Sequence, residues 1–286
     1  MDISQEAVET MILETRGGRL AYDVAGTGPL FVLVPGMGEN RSTFRAVADR
    51  IAAAGYRVAT LDMRGHGESS LDWDSYTRAD VAADILTLIR HLGGPAVVVG
   101  HSFAGGAATI AAADAPELVE AVVEIGPFTR RQQPDLRALL TRSRYRKGML
   151  LLAGAAGLRS VGLWKRYLDH ATPGTKPAGF DERLAAADAD LRRPGRMAVL
   201  SKFGGSAPTD AGEKLAAIRC RALILMGTLD PDWADPKAEG EGIVAEMPAG
   251  LGRLDMVEGA GHYPHLQFPE RVAASILAFV AGDDRG

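Results

Sequence analysis

Cysteine is nearly absent from the 286-residue chain: Cys220 stands alone, so no internal disulfide can form and no thiolate set exists for zinc or an iron–sulfur cluster. Long apolar runs are missing too. The most apolar stretch, residues 148–164, is interrupted by Arg159 and is shorter than the roughly 20 residues a membrane-crossing helix needs. Residues 1–15 carry Asp2, Glu6, Glu9 and Glu14 and lack the basic start and apolar centre of a secretion signal, so the expected location is cytoplasmic. There is no internal repeat and no low-complexity linker. At a net charge of −4, no nucleic-acid partner is expected.

What remains is the composition of a soluble globular protein, 47% hydrophobic and 24% charged. Its length suits one large core or a core plus an inserted domain. The most informative stretch is residues 96–108, Ala-Val-Val-Val-Gly-His-Ser-Phe-Ala-Gly-Gly-Ala-Ala. The apolar, β-branched opening has the length of a strand covered on both faces, and the small residues from Ala104 onward suit a helix packed closely beside it. Ser102 then occupies a sharp turn with its hydroxyl in open space. Such a turn strains its central residue and tolerates only very small neighbours two places away on either side. Gly100 and Ala104 meet that requirement.

Short alternating runs around Arg16-Gly17-Gly18 predict an opening β-hairpin from residues 10–13 and 20–24. Strands are expected at residues 30–34, 57–61, 96–99 and 118–125, and amphipathic helices at 43–54 and 77–92. That alternation argues for a parallel sheet with its active site at the carboxyl ends of the strands. Between residues 128 and 208 helical periodicity takes over, in segments near 136–145, 148–167 and 182–190. Strands resume at 221–226 and 254–257, and a closing amphipathic helix spans 269–280.

The segment Gly100-His101-Ser102-Phe103-Ala104 resembles the Gly-x-Ser-x-Gly elbow of the α/β-hydrolase family, with Gly105 one place late. Asp62-Met63-Arg64-Gly65-His66-Gly67-Glu68-Ser69 is similar to that family's Asp-x-Arg-Gly-x-Gly-x-Ser loop, and Pro35-Gly36-Met37-Gly38 stands where it has His-Gly-x. The resemblance covers residues 10–127 and 215–282. It implies an α/β fold, with a mostly parallel, doubly wound central sheet from residues 1–127 and 209–286 and a helical cap inserted at 128–208.

The same resemblance implies a nucleophile, Ser102, and oxyanion-hole N–H groups on Met37 and Phe103. A serine hydroxyl needs a histidine to take its proton, and the histidine needs a carboxylate to hold its tautomer. His262, in Gly259-Ala260-Gly261-His262-Tyr263-Pro264-His265, matches the family's base, while His265 reads as a surface or packing residue and His66 as part of a structural loop. The family's Gly-x-x-Asp pattern selects Asp230 as the carboxylate. Asp232 stays open because the turn through Pro231 could present either side chain, and Glu124 is a third candidate inside an apolar strand. A histidine base near its ordinary pKa would give kcat/KM an acid limb around 6 to 7.

The activity so implied is hydrolysis of an ester, thioester or related acyl bond through an acyl-enzyme, with no metal or organic cofactor. Ser102 argues against the family members that open epoxides or displace halides from an aspartate. The alternatives are a ligand-binding or signalling protein with little turnover, a cofactor-free perhydrolase of the haloperoxidase type, and a carbon–carbon bond hydrolase. Residues 128–208 hold 16 Lys or Arg against 6 Asp or Glu, a local +10 that leaves −14 for the rest. Such a cap has either a solvated basic surface or an affinity for an anionic group on a small-molecule acyl substrate. Met149, Leu150, Leu151, Leu152, Leu158, Leu163 and Trp164 make its middle apolar and are the candidates for lining an acyl pocket.

Overall fold

The computed structural model describes residues 9–131 and 135–282. The Gly-Gly turn makes the expected hairpin: β1 (Met11–Glu14) and β2 (Arg19–Ala25) pair antiparallel, with Met11 opposite Tyr22. After it come β3 (Leu30–Val34), α1 (Arg45–Ala53), β4 (Arg57–Leu61), α2 (Arg78–Leu92), β5 (Ala96–His101), α3 (Phe103–Asp114) and β6 (Val119–Ile125). A helical insertion follows, comprising α4 (Leu136–Thr141), α5 (Ser143–Gly157), α6 (Val161–His170), α7 (Phe180–Leu191) and α8 (Arg196–Gly204). The short α9 (Thr209–Gly212) leads back to β7 (Arg221–Gly227), α10 (Pro236–Glu246), β8 (Gly252–Val257), α11 (Pro264–Gln267) and α12 (Pro269–Val280).

The strands form one eight-stranded sheet in the order β1-β2-β4-β3-β5-β6-β7-β8. Every pair from β4 to β8 is parallel, and β2 joins β4 antiparallel. The central strands are apolar, β3 throughout and β5 from Ala96 to Val99, because helices cover both faces. On one face Ile85, Leu88 and Ile89 of α2 and Ala107, Ala108 and Ala111 of α3 fill the core; on the other, Val47 and Ile51 of α1 meet Val272 and Ile276 of α12. The near absence of large side chains from α3 lets it lie close against β5. A capping box between Thr77 and Asp80 starts α2, and Gly93 at a φ of 79° ends it.

The insertion departs from the periodicity reading. The single helix expected at 148–167 is two: α5 ends at Gly157, Arg159 takes a φ of 49°, and the Ser160 hydroxyl accepts the Leu163 N–H at 3.3 Å to start α6. The apolar spacing runs across this break because Ala155 of α5 and Trp164, Tyr167 and Leu168 of α6 fill one shared cluster. The segment expected at 136–145 ends as α4 at Thr141, and α8 and α10 have no counterpart among the expected helices. Tyr263 belongs to the same cluster and Met37 packs against it, which seats the insertion over the carboxyl ends of β3 and β8. Among the described residues, no helix is long and apolar enough to cross a membrane.

Candidate active site

The turn between β5 and α3 holds Ser102 at φ 54° and ψ −117°, a conformation that costs a non-glycine residue about 1–3 kcal/mol. Hydrogen bonds on both sides hold it there. The Ser102 N–H donates to Ile125 O at 2.8 Å, and the Ser102 carbonyl accepts from the N–H groups of Gly105 at 3.0 Å and Phe128 at 3.1 Å. Gly100 is required by contact, since a Cβ there would lie 2.2 Å from the carbonyl oxygen of Ala104.

His262 comes from the loop after β8 and Asp230 from the turn after β7. Nδ1 of His262 donates to Asp230 Oδ2 at 2.9 Å, and both side chains are buried. The sequence left Asp232 open, and the structure brings it to the same nitrogen: its Oδ2 lies 3.3 Å from His262 Nδ1 and accepts the hydroxyl of Tyr167, on α6, at 2.6 Å. The Asp232 N–H in turn donates to Asp230 Oδ1 at 3.0 Å. Gly126, at φ 51°, closes the group from below; a Cβ there would come within 3.2 Å of His262 Nδ1 and 3.3 Å of Asp230 Oδ2.

Burial pulls the imidazole pKa down, but the Asp230 and Asp232 carboxylates, with Glu39 beyond them, raise it to about 9. Burial pushes Asp232 up to about 6, the positive His262 opposing and the neighbouring Asp230 adding to the rise. Its Oδ1 has no hydrogen-bond partner among the described residues, which agrees with a carboxylate that is costly to ionise. The imidazole therefore titrates above the range of an ordinary histidine. Asp230 contributes most to the rise and Asp232 adds to it.

The other sequence candidates separate clearly. Glu124 is fully buried and bonded by the hydroxyls of Thr109 and Thr129, and burial raises it to about 7; no contact links it to His262. His265 is not at the surface: it is buried and stacked on Phe44 at 4.6 Å between ring centroids. His66 has a structural task. Its Nε2 accepts the Gly38 N–H at 2.9 Å and its Nδ1 donates to Arg64 O at 3.0 Å, so it pins the turn that carries Met37. Burial lowers its pKa to about 4 and keeps it neutral. The Met37 N–H has no acceptor among the described residues, and the Phe103 N–H is the first of α3, where helices leave their donors unpaired.

Met37, Ser102, Phe103 and His262 line one cavity of about 370 Å³. The insertion supplies much of its wall through Met149, Leu152, Trp164 and Tyr167. Leu150 and Leu158, expected on that side, are 67% and 75% exposed instead. None of the lysines and arginines of residues 128–208 lines the cavity. Several fasten the insertion instead: Arg183 pairs with the buried Glu39 at 2.5 Å, Arg196 donates to Gly65 O and Gly67 O, and Arg130 pairs with Glu239 and Glu246. The larger groove, about 700 Å³ along Arg130, Glu239 and Glu246, includes neither Ser102 nor His262.

Among the described residues, the group spaced to hold a metal ion is the same Asp230, Asp232 and His262, with ligand atoms within 4.8 Å. Each already has a partner within the group or on Tyr167, which suits proton transfer. Sequence reasoning gave no sign of Tyr167 or of Arg78, another cavity residue; both reach the site from distant helices through contacts that no local spacing encodes.

A family model described as the alpha/beta hydrolase family matches residues 31–275. An uncharacterized protein of Mycobacterium tuberculosis is 29% identical over 276 residues, covering 92% of this chain and 79% of its own. Two solved structures are similar in fold. A thermophilic esterase from Thermogutta terrifontis gives a TM-score of 0.73 at 23% identity, over 96% of this chain and 98% of that one. An epoxide hydrolase from Vigna radiata gives 0.78 at 19% identity, over 98% and 99%.

Proposed function

This chain belongs to the alpha/beta hydrolase family, and on that footing we propose that it is a serine hydrolase cleaving an ester, thioester or related acyl bond through an acyl-enzyme. The observation that carries the reading is the buried His262 Nδ1–Asp230 bond at 2.9 Å, opening onto the same cavity as a serine held at a φ of 54°. With Nδ1 tied to the carboxylate, Nε2 is left to accept the Ser102 proton as Oγ attacks the acyl carbon. The N–H groups of Met37 and Phe103 are the donors for the oxygen that gains charge. Collapse of the tetrahedral intermediate returns the proton to the leaving group. Water, deprotonated by His262, then releases the acid and regenerates Ser102. The epoxide hydrolases of this family attack with an aspartate, and Ser102 stands in that place here.

Hydrolysis of 4-nitrophenyl butyrate tests the reading. Ser102→Ala and His262→Ala should each remove nearly all turnover, and the double variant should be hardly worse, because triad members act as a unit. A fluorophosphonate should attach its phosphonyl group to Ser102 alone, with loss of HF, and a chelator should leave the rate unchanged. Turnover retained in a folded Ser102→Ala protein would remove the proposal.

A further inference from the structure

Histidines aside, the one cationic side chain that lines the cavity among the described residues belongs to the core and not to the basic insertion. Arg78, the first residue of α2, is 3% exposed. Its Nε donates to Phe128 O at 3.0 Å and its Nη1 to Ser206 O at 3.0 Å, with Ser206 Oγ at 3.5 Å. Nη2 has no hydrogen-bond partner among the described residues. The guanidinium lies 4.1 Å over the ring of Phe103, the residue after Ser102.

No described carboxylate pairs with it. Three other arginines with little exposure contrast, Arg64 held by Asp84 at 2.8 Å, Arg41 by Asp23 at 2.8 Å and Arg183 by Glu39 at 2.5 Å, while the buried Arg196 donates to Gly65 O and Gly67 O and has Asp190 at 3.7 Å. Burial lowers Arg78 to about 10, with Asp210 opposing from a distance, so it remains a cation at neutral pH. A buried charge bonded only to neutral oxygens is costly, and an anion supplied by a ligand offsets that cost. Beside Ser206, the cavity wall carries the apolar side chains of Phe103, Phe128, Met149 and Phe203.

We infer that Arg78 binds a carboxylate carried by the substrate, so that the preferred substrates are esters in which an apolar span separates the scissile carbonyl or its leaving group from a carboxylate. The inference rests on the serine-hydrolase reading. It moves recognition of an anion from the insertion, whose basic residues do not reach the cavity, to a residue 24 positions before the nucleophile.

Two substrate series test it. In the first, mono-(4-nitrophenyl) esters of straight dicarboxylic acids are compared with the same compounds capped as methyl esters. In the second, butyrate esters of ω-hydroxy acids are compared with butyrate esters of matched alcohols. One series should favour the carboxylate by about 10- to 100-fold in kcat/KM, the range expected of a hydrogen bond to a charged group, with an optimum span that measures the distance from Ser102. Arg78→Gln should bring the ratio to near unity, and Arg78→Lys should keep part of it. Arg78 also ties Phe128 to Ser206, but loss of that role alone would lower both members of a pair together and leave the ratio intact. If Arg78→Gln does not fold, competition in the wild type decides: glutarate should inhibit neutral-ester hydrolysis at lower concentration than butyrate. Equal kcat/KM within every pair and equal inhibition by the two acids, with turnover still dependent on Ser102, would overturn the inference alone. A ratio unchanged in folded Arg78→Gln would also overturn it. Absence of any ester turnover together with a Ser102 inert to fluorophosphonate would overturn the underlying reading instead.

Discussion

Replacing Asp232 with asparagine removes one of the two carboxylates that face His262 Nδ1 and keeps an oxygen for the Tyr167 hydroxyl. The carboxylates lie 2.9 Å (Asp230) and 3.3 Å (Asp232) from that nitrogen. As a base His262 must be neutral, so kcat/KM falls as pH drops below its pKa, which stands at about 9. At 3.3 Å and an effective dielectric of about 20, the attraction between unit charges is about 5 kcal/mol, equivalent to roughly 3 to 4 pKa units. Both charges are spread over several atoms and the amide dipole replaces part of the lost field, so the expected fall is about 1 to 2 units. The wild-type acid limb should therefore lie well above pH 7, and that of Asp232→Asn should move toward neutrality and raise the relative rate at pH 7. Asp230→Asn should instead lower turnover by several orders of magnitude at every pH, because its amide favours the wrong tautomer of His262. The assay is kcat/KM for one neutral ester from pH 5 to 10, with melting curves to establish folding. An acid limb shared within about 0.3 units by wild type and a folded Asp232→Asn protein would refute the electrostatic role of Asp232.

Strain at the elbow gives a stability prediction: Ser102→Gly should abolish turnover yet stabilise the fold by about 1 kcal/mol, because glycine adopts a φ of 54° without the side-chain penalty. An unchanged or lowered denaturation midpoint would count against stored strain. His66, lowered to about 4 by burial, contributes stability that is present above pH 6.5 and lost as pH falls through 4, about 3 kcal/mol in all. His66→Gln should therefore show a shallower decline in stability between pH 6.5 and 4 than the wild type, and parallel declines would show that His66 does not titrate with unfolding.

The sheet was legible because each of its signals is local. A run such as Leu30–Val34 is apolar throughout because both faces are covered, and the Gly-Gly turn at residues 17–18 fixes the hairpin by itself. Of the helices that escaped notice, α10 lacks a clean stripe. α10, Pro-Lys-Ala-Glu-Gly-Glu-Gly-Ile-Val-Ala-Glu, has two interior glycines and buries only Pro236, Gly240 and Ile243. Its start was nevertheless written in the chain, since Asp235 before Pro236 is a capping residue followed by proline in the first turn. In the insertion the apolar spacing continued through the break at residues 158–160, where the decisive signal was Ser160 as an N-cap and not the hydrophobic pattern.

The site divides along the same line. Ser102, His262 and Asp230 stand in turns after strands, where short motifs mark them, whereas other polar groups around the cavity arrive from elsewhere. Tyr167 reaches Asp232 across 65 residues, and Arg78 binds carbonyls 50 and 128 residues away. A count of charge along the chain cannot locate such groups, because it sums side chains that face water with those that face a cavity. In residues 128–208 the large basic excess goes outward or into ties with the core, while one arginine from a segment of no unusual charge faces the cavity. The quantity that matters for substrate choice is the number of cations left without an acid partner at the cavity wall, and that number is set by which elements the fold brings together.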